Sequence, residues 1–305
     1  MSFSQEIKQE IAGRKIMRPC CAQAASYAAA CFGRYFDERG VAVQTELQSV
    51  ALFIKRMYQL CGISGTIQER EWGDGVLYEF EVSEPEEVAR MLQLFGRTGQ
   101  EANLRIDPKL LSCSGCISSF IATAFVCCGT ATDPKKEYTL EFTTNRYNLA
   151  RDFEALLGEH EFSPHRTQRK GTNVVYVKAS ERVEDLLTFM GASNSAMALM
   201  SDKIYKDLRN KANRLTNCET ANMAKAAIAN AHTARAIRYL QECNALESLP
   251  EELQQVARLR LEYPELSLAK LAPLVDPPIS KSGLAHRLKK LETIAQQMKE
   301  REENA

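Results

Sequence analysis

Cysteine and histidine have the widest chemical range of the residues in this 305-residue chain, and their spacing limits what they can do. The four histidines, His160, His165, His232 and His286, are scattered, and no two stand four apart as a helical metal pair would. Ten cysteines are present; Cys113-Ser114-Gly115-Cys116 is a CxxC, and Cys20-Cys21 forms a second close pair. Four thiols suit zinc if the fold brings both pairs together. A single CxxC is a weak signal, however, and both pairs also read as small apolar residues opening buried helices. The favoured expectation is therefore no metal and no cofactor. No glycine-rich phosphate loop, nucleophile elbow or zinc-protease signature is present, so the sequence gives no reason to expect an enzyme.

Charge offers a second kind of chemistry. The stretch Asp276 to Leu291, DPPISKSGLAHRLKKL, joins a rigid turn to a cationic amphipathic helix. Pro277 and Pro278 fix their own φ and cannot extend a preceding helix, while Ser280 offers its hydroxyl as an N-cap. Leu284, Leu288 and Leu291 then share one face, with Ser282, Ala285, His286, Lys289 and Lys290 opposite and Lys281 and Arg287 at the flanks. Arg287 lies nearer the leucines, which suits an ion pair or a phosphate contact better than base readout.

Two elements must hold that helix. Glu251 to Glu262 reads as a helix with Leu253, Val256, Ala257 and Leu261 inward, and Ser267 opens a short second helix through Leu274. A plain surface helix can also carry leucines on one side and lysines on the other. The order helix, short helix, turn, cationic helix is that of a helix-turn-helix, with the cationic member where a DNA-reading helix belongs.

Composition bounds the rest. With 45% hydrophobic and 26% charged residues the chain can bury two or more cores. No apolar run is long enough to span a bilayer and no secretory segment opens the chain, which predicts a cytoplasmic protein with reduced thiols. Formal net charge is zero, so any affinity for nucleic acid must be local. Positive charge gathers in two places: Lys281 to Lys290, and Lys203 to Arg214 with Lys206, Arg209, Lys211 and Arg214. The second patch reads either as a solvated linker helix or as a phosphate-tracking segment, and a long alanine-rich helix follows from Thr220 to Leu246.

The first two hundred residues repeat themselves. A small-residue helix (Cys20 to Phe32), a strand (Val41 to Leu47), a helix (Ser49 to Leu60), a hairpin turning at Gly73, Asp74 and Gly75, and a closing helix (Glu84 to Phe95) recur after residue 113. Gly33 and Gly129, Val76 and Asn173, and Gly96 and Gly191 are separated by 96, 97 and 95 residues, a near-constant offset that predicts duplication. Ala24, Ala25, Ala28, Ala29 and Ala30 in one small-residue helix, and Ser118, Ser119, Ala122 and Ala124 in the other, let two backbones approach closely.

On these residues the duplicated half resembles the LAGLIDADG homing-endonuclease fold. The chain as a whole resembles the WhiA family of bacterial regulators, in which such a domain precedes a helix-turn-helix. The resemblance is carried by Pro19-Cys20-Cys21, by Ala124 to Pro134, by Asp202 to Asn230 and by Pro264 to Leu291. It implies DNA-binding regulation of transcription linked to sporulation, cell division or chromosome segregation, association with the nucleoid, and a sigma factor of RNA polymerase as a candidate partner.

LAGLIDADG nucleases place an acid at the base of each paired helix to hold divalent metal. Alignment on the glycines sets Arg34 and Cys128 at those positions, so the resemblance implies a scaffold without catalytic residues. The expectation is an α+β duplicated LAGLIDADG-like domain followed by an all-α helix-turn-helix domain. Its parts are a first repeat at 1–105, a second at 106–200, a basic linker at 201–219, the helix-turn-helix domain at 220–298 and a frayed acidic tail at 299–305. Double-stranded DNA is the expected partner, with no membrane, and the candidate contacts are Ser280, Lys281, Ser282, His286, Arg287, Lys289, Lys290, Lys206, Arg209, Lys211 and Arg214. Two rival readings are a nucleoid-associated or protein-interaction factor with little direct effect on transcription, and an active endonuclease.

Overall fold

A computed structural model describes residues 1–303 except Met17 and Asp74, so the expected turn residue Asp74 and the tail residues Asn304 and Ala305 lie outside the described residues. The chain divides into two units, residues 1–206 and 207–305.

Small side chains decide how the first unit is built. Helix α1 (Phe3–Ala12) is followed by α2 (Pro19–Phe32), β1 (Tyr35–Asp37), β2 (Gly40–Thr45), α3 (Gln48–Leu60), β3 (Thr66–Trp72), β4 (Gly75–Val82) and α4 (Pro85–Phe95). The same series returns as α5 (Ser114–Cys128), β5 (Gly129–Ala131), β6 (Thr139–Thr144), α6 (Tyr147–Glu159), β7 (His165–Arg169), β8 (Thr172–Lys178) and α7 (Ser180–Phe189). Each half makes one antiparallel sheet of the same order, β1-β2-β4-β3 and β5-β6-β8-β7, as the repeat predicts.

Helices α2 and α5 pack along one another, with Ala24, Ala25, Ala28, Ala30 and Ala124 fully buried between and around them. Alanine loses no side-chain entropy on burial and lets the backbones close. Both helices stop at a glycine because nothing larger fits: a Cβ on Gly33 would lie 2.6 Å from the Ala42 carbonyl oxygen, and one on Gly129 would lie 2.6 Å from that of Phe125. Each sheet turns one face to this core. In the first, Phe80 pairs with Val43 and Ile67 on the buried side, so Glu79, next along β4, points to the opposite face beside Gln44 and Gln68.

Helix α8 (Ser193–Glu242) runs unbroken through the stretch expected as a basic linker. No proline or glycine interrupts those residues, and Glu10 of α1 caps the start by accepting from the backbone N–H of Asn194 (2.7 Å) and Ser195 (2.9 Å).

The second unit contains the end of α8, then α9 (Glu251–Glu262), α10 (Leu268–Leu271) continued by a short turn of tighter helix at Ala272–Leu274, and α11 (Lys281–Glu303). Its core gathers Ile237, Leu240, Leu253, Val256, Ala257, Leu271, Val275, Leu284, Leu288, Leu291 and Ala295. The tail expected to fray is helical as far as Glu303. Tyr239 of α8 donates its hydroxyl to Glu302 (2.7 Å), and Lys299 lies over the Tyr239 ring at 4.8 Å.

Candidate nucleic-acid interface

The leucine stripe orients α11. Leu284 and Leu291 are fully buried and Leu288 nearly so, which leaves Lys281, Ser282, His286, Lys289 and Lys290 exposed on the other side. Ser280 opens the helix as expected: its Oγ accepts from the Gly283 N–H at 3.1 Å and lies 3.0 Å from the Ser282 hydroxyl. The exposed row therefore begins at a helix N-terminus, where free N–H groups favour phosphate.

Arg287 is turned away from this row. Its Nη2 meets Glu252 of α9 at 2.8 Å, and its side chain is 24% exposed. An ion pair within the unit is the first of the two roles its position on the helix suggested.

The basic stretch of α8 divides in the same manner. Lys203 meets Glu181 at 2.6 Å, and Lys206 donates to the Pro134 carbonyl at 2.8 Å while lying 4.8 Å over the Tyr138 ring. These two lysines are committed to the first unit. Arg209, Lys211 and Arg214 are exposed and, among the described residues, make no ion pair.

A second concentration of cationic and polar side chains lies at the C-terminal end of α2. A pocket of about 380 Å³ is lined by Phe32, Gly33, Arg34, Thr143, Thr144, Asn145, Arg146 and Thr172, and no carboxylate is among them. Arg146 donates to the Cys31 carbonyl, and burial pulls its guanidinium pKa down. Sequence reasoning did not single out Arg146, because one arginine before a helix has no motif. Only the folded pairing of the two halves reveals it.

Arg34 and Cys128, which alignment on the glycines sets at the expected acid positions, have other partners. Arg34 donates to Glu79 Oε1 at 3.0 Å; Gln44 donates to the same oxygen at 3.0 Å, and Arg70 meets Oε2 at 3.3 Å. The buried Glu79 is thus held by two cations and an amide. Cys128 donates to the Ala124 carbonyl at 3.2 Å, and burial pushes its thiol up to about 12, so it stays protonated at neutral pH. Asp37, the nearest acid after α2, accepts a charge-assisted hydrogen bond from Arg39 at 2.6 Å, which holds its carboxyl below the usual range. Asp133, after α5, accepts from the Lys135 N–H at 2.9 Å and closes a turn.

Among the described residues, one group of side chains could hold a metal ion: Cys20, Cys21, Cys113 and Cys116, at the N-terminal ends of α2 and α5. No described helix is long and apolar enough to cross a membrane.

Known proteins resemble this chain in sequence and fold. Residues 117–209 match the family model of the WhiA LAGLIDADG-like domain, and residues 212–295 match that of the WhiA C-terminal helix-turn-helix domain. A probable cell division protein WhiA of Caldicellulosiruptor bescii is 31% identical over 312 aligned residues, covering 98% of this chain and 96% of that protein. A relative of the same name from Thermoanaerobacter pseudethanolicus is 38% identical over 199 residues, a match that spans 65% of this chain and only 63% of that protein's length. The crystal structure of full-length WhiA from Thermotoga maritima superposes over 97% of this chain and 99% of that one with a TM-score of 0.61 at 20% identity, a likeness of fold.

Fold and comparisons together define a two-part protein, a duplicated LAGLIDADG-like α+β domain followed by a helix-turn-helix. The chain belongs to the WhiA family.

Proposed function

We propose that this chain is a DNA-binding transcriptional regulator that reads double-stranded DNA with α11 and does not cleave it. One observation carries the reading: α11 buries its leucines in the core of the second unit and leaves Ser282, His286 and Lys289 exposed in one row, with Lys281 exposed at its flank beside the capped N-terminus. Lysine supplies phosphate affinity, and a serine or histidine on the same face supplies hydrogen-bonding groups for base edges. Arg209, Lys211 and Arg214 add a sequence-independent phosphate term. Lys290 is exposed at the edge of the row and serves as a backbone contact.

Loss of nuclease chemistry is part of the same reading. A metal-dependent nuclease needs carboxylates at the base of both paired helices. Arg34 stands at one such position and a protonated Cys128 at the other. The relatives' name links the reading to cell division, and the family resemblance adds sporulation or chromosome segregation and a sigma-factor partner.

Genome-wide occupancy combined with expression profiling after deletion tests the regulator. The expected result is discrete bound sites next to genes whose expression changes. Broad occupancy without expression change would overturn it in favour of a nucleoid-associated factor. Metal-dependent cleavage of bound DNA would overturn the non-catalytic part.

A further inference from the structure

The paired helices have a second end. Helices of 14 and 15 residues are roughly 20 Å long, so the N-termini of α2 and α5 lie well away from the Arg34 pocket. Cys20 and Cys21 are the second and third residues of α2, Cys113 caps α5, and Cys116 is the third residue of α5. The duplication thus sets two thiols on each helix start. Their four sulfur atoms all lie within 4.8 Å of one another, with Cys21 and Cys113 3.9 Å apart and Cys113 and Cys116 3.4 Å apart.

Those separations select among the things four thiols can do. A disulfide needs its sulfurs about 2.05 Å apart, and all four cysteines are free. An iron–sulfur cluster attaches its cysteines to several irons and holds their sulfurs farther apart. A single tetrahedral ion with metal–sulfur bonds of about 2.3 Å sets its sulfurs about 3.8 Å apart, close to what is seen.

We propose that Cys20, Cys21, Cys113 and Cys116 form a tetrathiolate zinc site that pins the two halves of the LAGLIDADG-like domain together at the N-terminal ends of α2 and α5.

The surroundings are built for it. Gly115 sits inside the CxxC in the first turn of α5, and a Cβ there would lie 3.0 Å from the Cys21 sulfur, a tight contact that glycine avoids. Zinc with four thiolates carries two negative charges, and two helix N-termini converge on it. Arg14, anchored to the Ser118 hydroxyl at 3.3 Å in the next turn of α5, adds a cation. Binding displaces the thiol protons to solvent, with no change in oxidation state. Cys21 and Cys116 are buried while Cys20 and Cys113 are half-buried, so the ion is held at the surface of the core and a chelator can reach it. The link closes 92 residues of chain between Cys21 and Cys113.

The test uses the full chain, purified untagged under reducing conditions without chelator. Elemental analysis is expected to find one zinc per chain, and cobalt(II) loading is expected to give thiolate-to-metal charge-transfer absorption with tetrahedral ligand-field bands. Cys20→Ser and Cys116→Ser should each retain less than about a tenth of an equivalent, while Cys61→Ser, at the residue that ends α3, retains the full complement. Chelator should lower the wild-type thermal midpoint and leave that of Cys116→Ser unchanged. If the variants do not fold, mass-spectrometric mapping of alkylation in the wild type still decides: zinc should protect these four thiols and no others. Absence of metal after anaerobic reconstitution with zinc chloride, equal alkylation with and without zinc, or a Cys21–Cys113 disulfide in freshly purified protein would each overturn the proposal.

Discussion

Arg287 of α11 and Glu252 of α9 meet at 2.8 Å, an ion pair that joins the flank of the cationic helix to its support. Glu252 is 71% exposed, so solvent screens the pair and its contribution to stability is about 0–1 kcal/mol. Arg287→Ala should therefore shift urea unfolding only slightly. It should also leave the salt dependence of DNA binding unchanged, since the guanidinium is committed to Glu252. A fall of about 1 in the log–log salt slope would instead make Arg287 a phosphate ligand.

The exposed row on α11 makes the opposite prediction. Lys281→Ala and Lys289→Ala should each reduce the magnitude of that slope by about 1 and weaken all sequences alike. Ser282→Ala and His286→Ala should instead change which sequences are preferred, read by selection from a random DNA library. Unaltered binding in all four variants would mean that this face does not meet DNA.

Much of this arrangement was legible because it rests on periodicity. The Leu284, Leu288 and Leu291 stripe gave the roll of α11, and the Gly33–Gly129 offset gave the duplication and the ends of both paired helices. Distances between remote residues were not legible. Lys206 reads as a free cation in sequence, yet it is drawn onto the Pro134 carbonyl and the Tyr138 ring by residues about seventy positions away. Strands β1 and β5, three residues each, are too short for alternation to show and exist because β2 and β6 offer them an edge. The four cysteines were visible as residues, but only the packing of α2 on α5 sets their sulfurs within reach of one ion.

At the base of α2, Glu79 is the one acid that Arg34 and Arg70 share. Glu79→Gln keeps the shape while releasing both arginines, so affinity of the full chain for DNA should rise and its salt slope should steepen if this face approaches phosphate. Arg34→Ala should act in the other direction. Titration by fluorescence anisotropy at several salt concentrations measures both, and unchanged affinity in the pair of variants would remove the LAGLIDADG-like face from the DNA-binding surface.

Arg260 is the least expected member of the second core. It is fully buried at the end of α9, donates from Nη1 to the Leu266 carbonyl at 2.8 Å, and leaves Nε and Nη2 without partners. A buried cation with two unmet donors is costly, yet its one good hydrogen bond ties down the loop that turns α9 into α10 and so sets where α11 begins. Arg260→Ala removes that bond and opens a cavity, and should destabilise the unit by about 2–4 kcal/mol in chemical denaturation. Arg260→Met restores most of the volume without the unmet donors, so it should recover much of the stability. It does not restore the hold on Leu266. If the turn positions α11, the methionine variant should therefore unfold nearly as the wild type does while binding DNA more weakly. Full recovery of both properties would show that Arg260 acts only as filling.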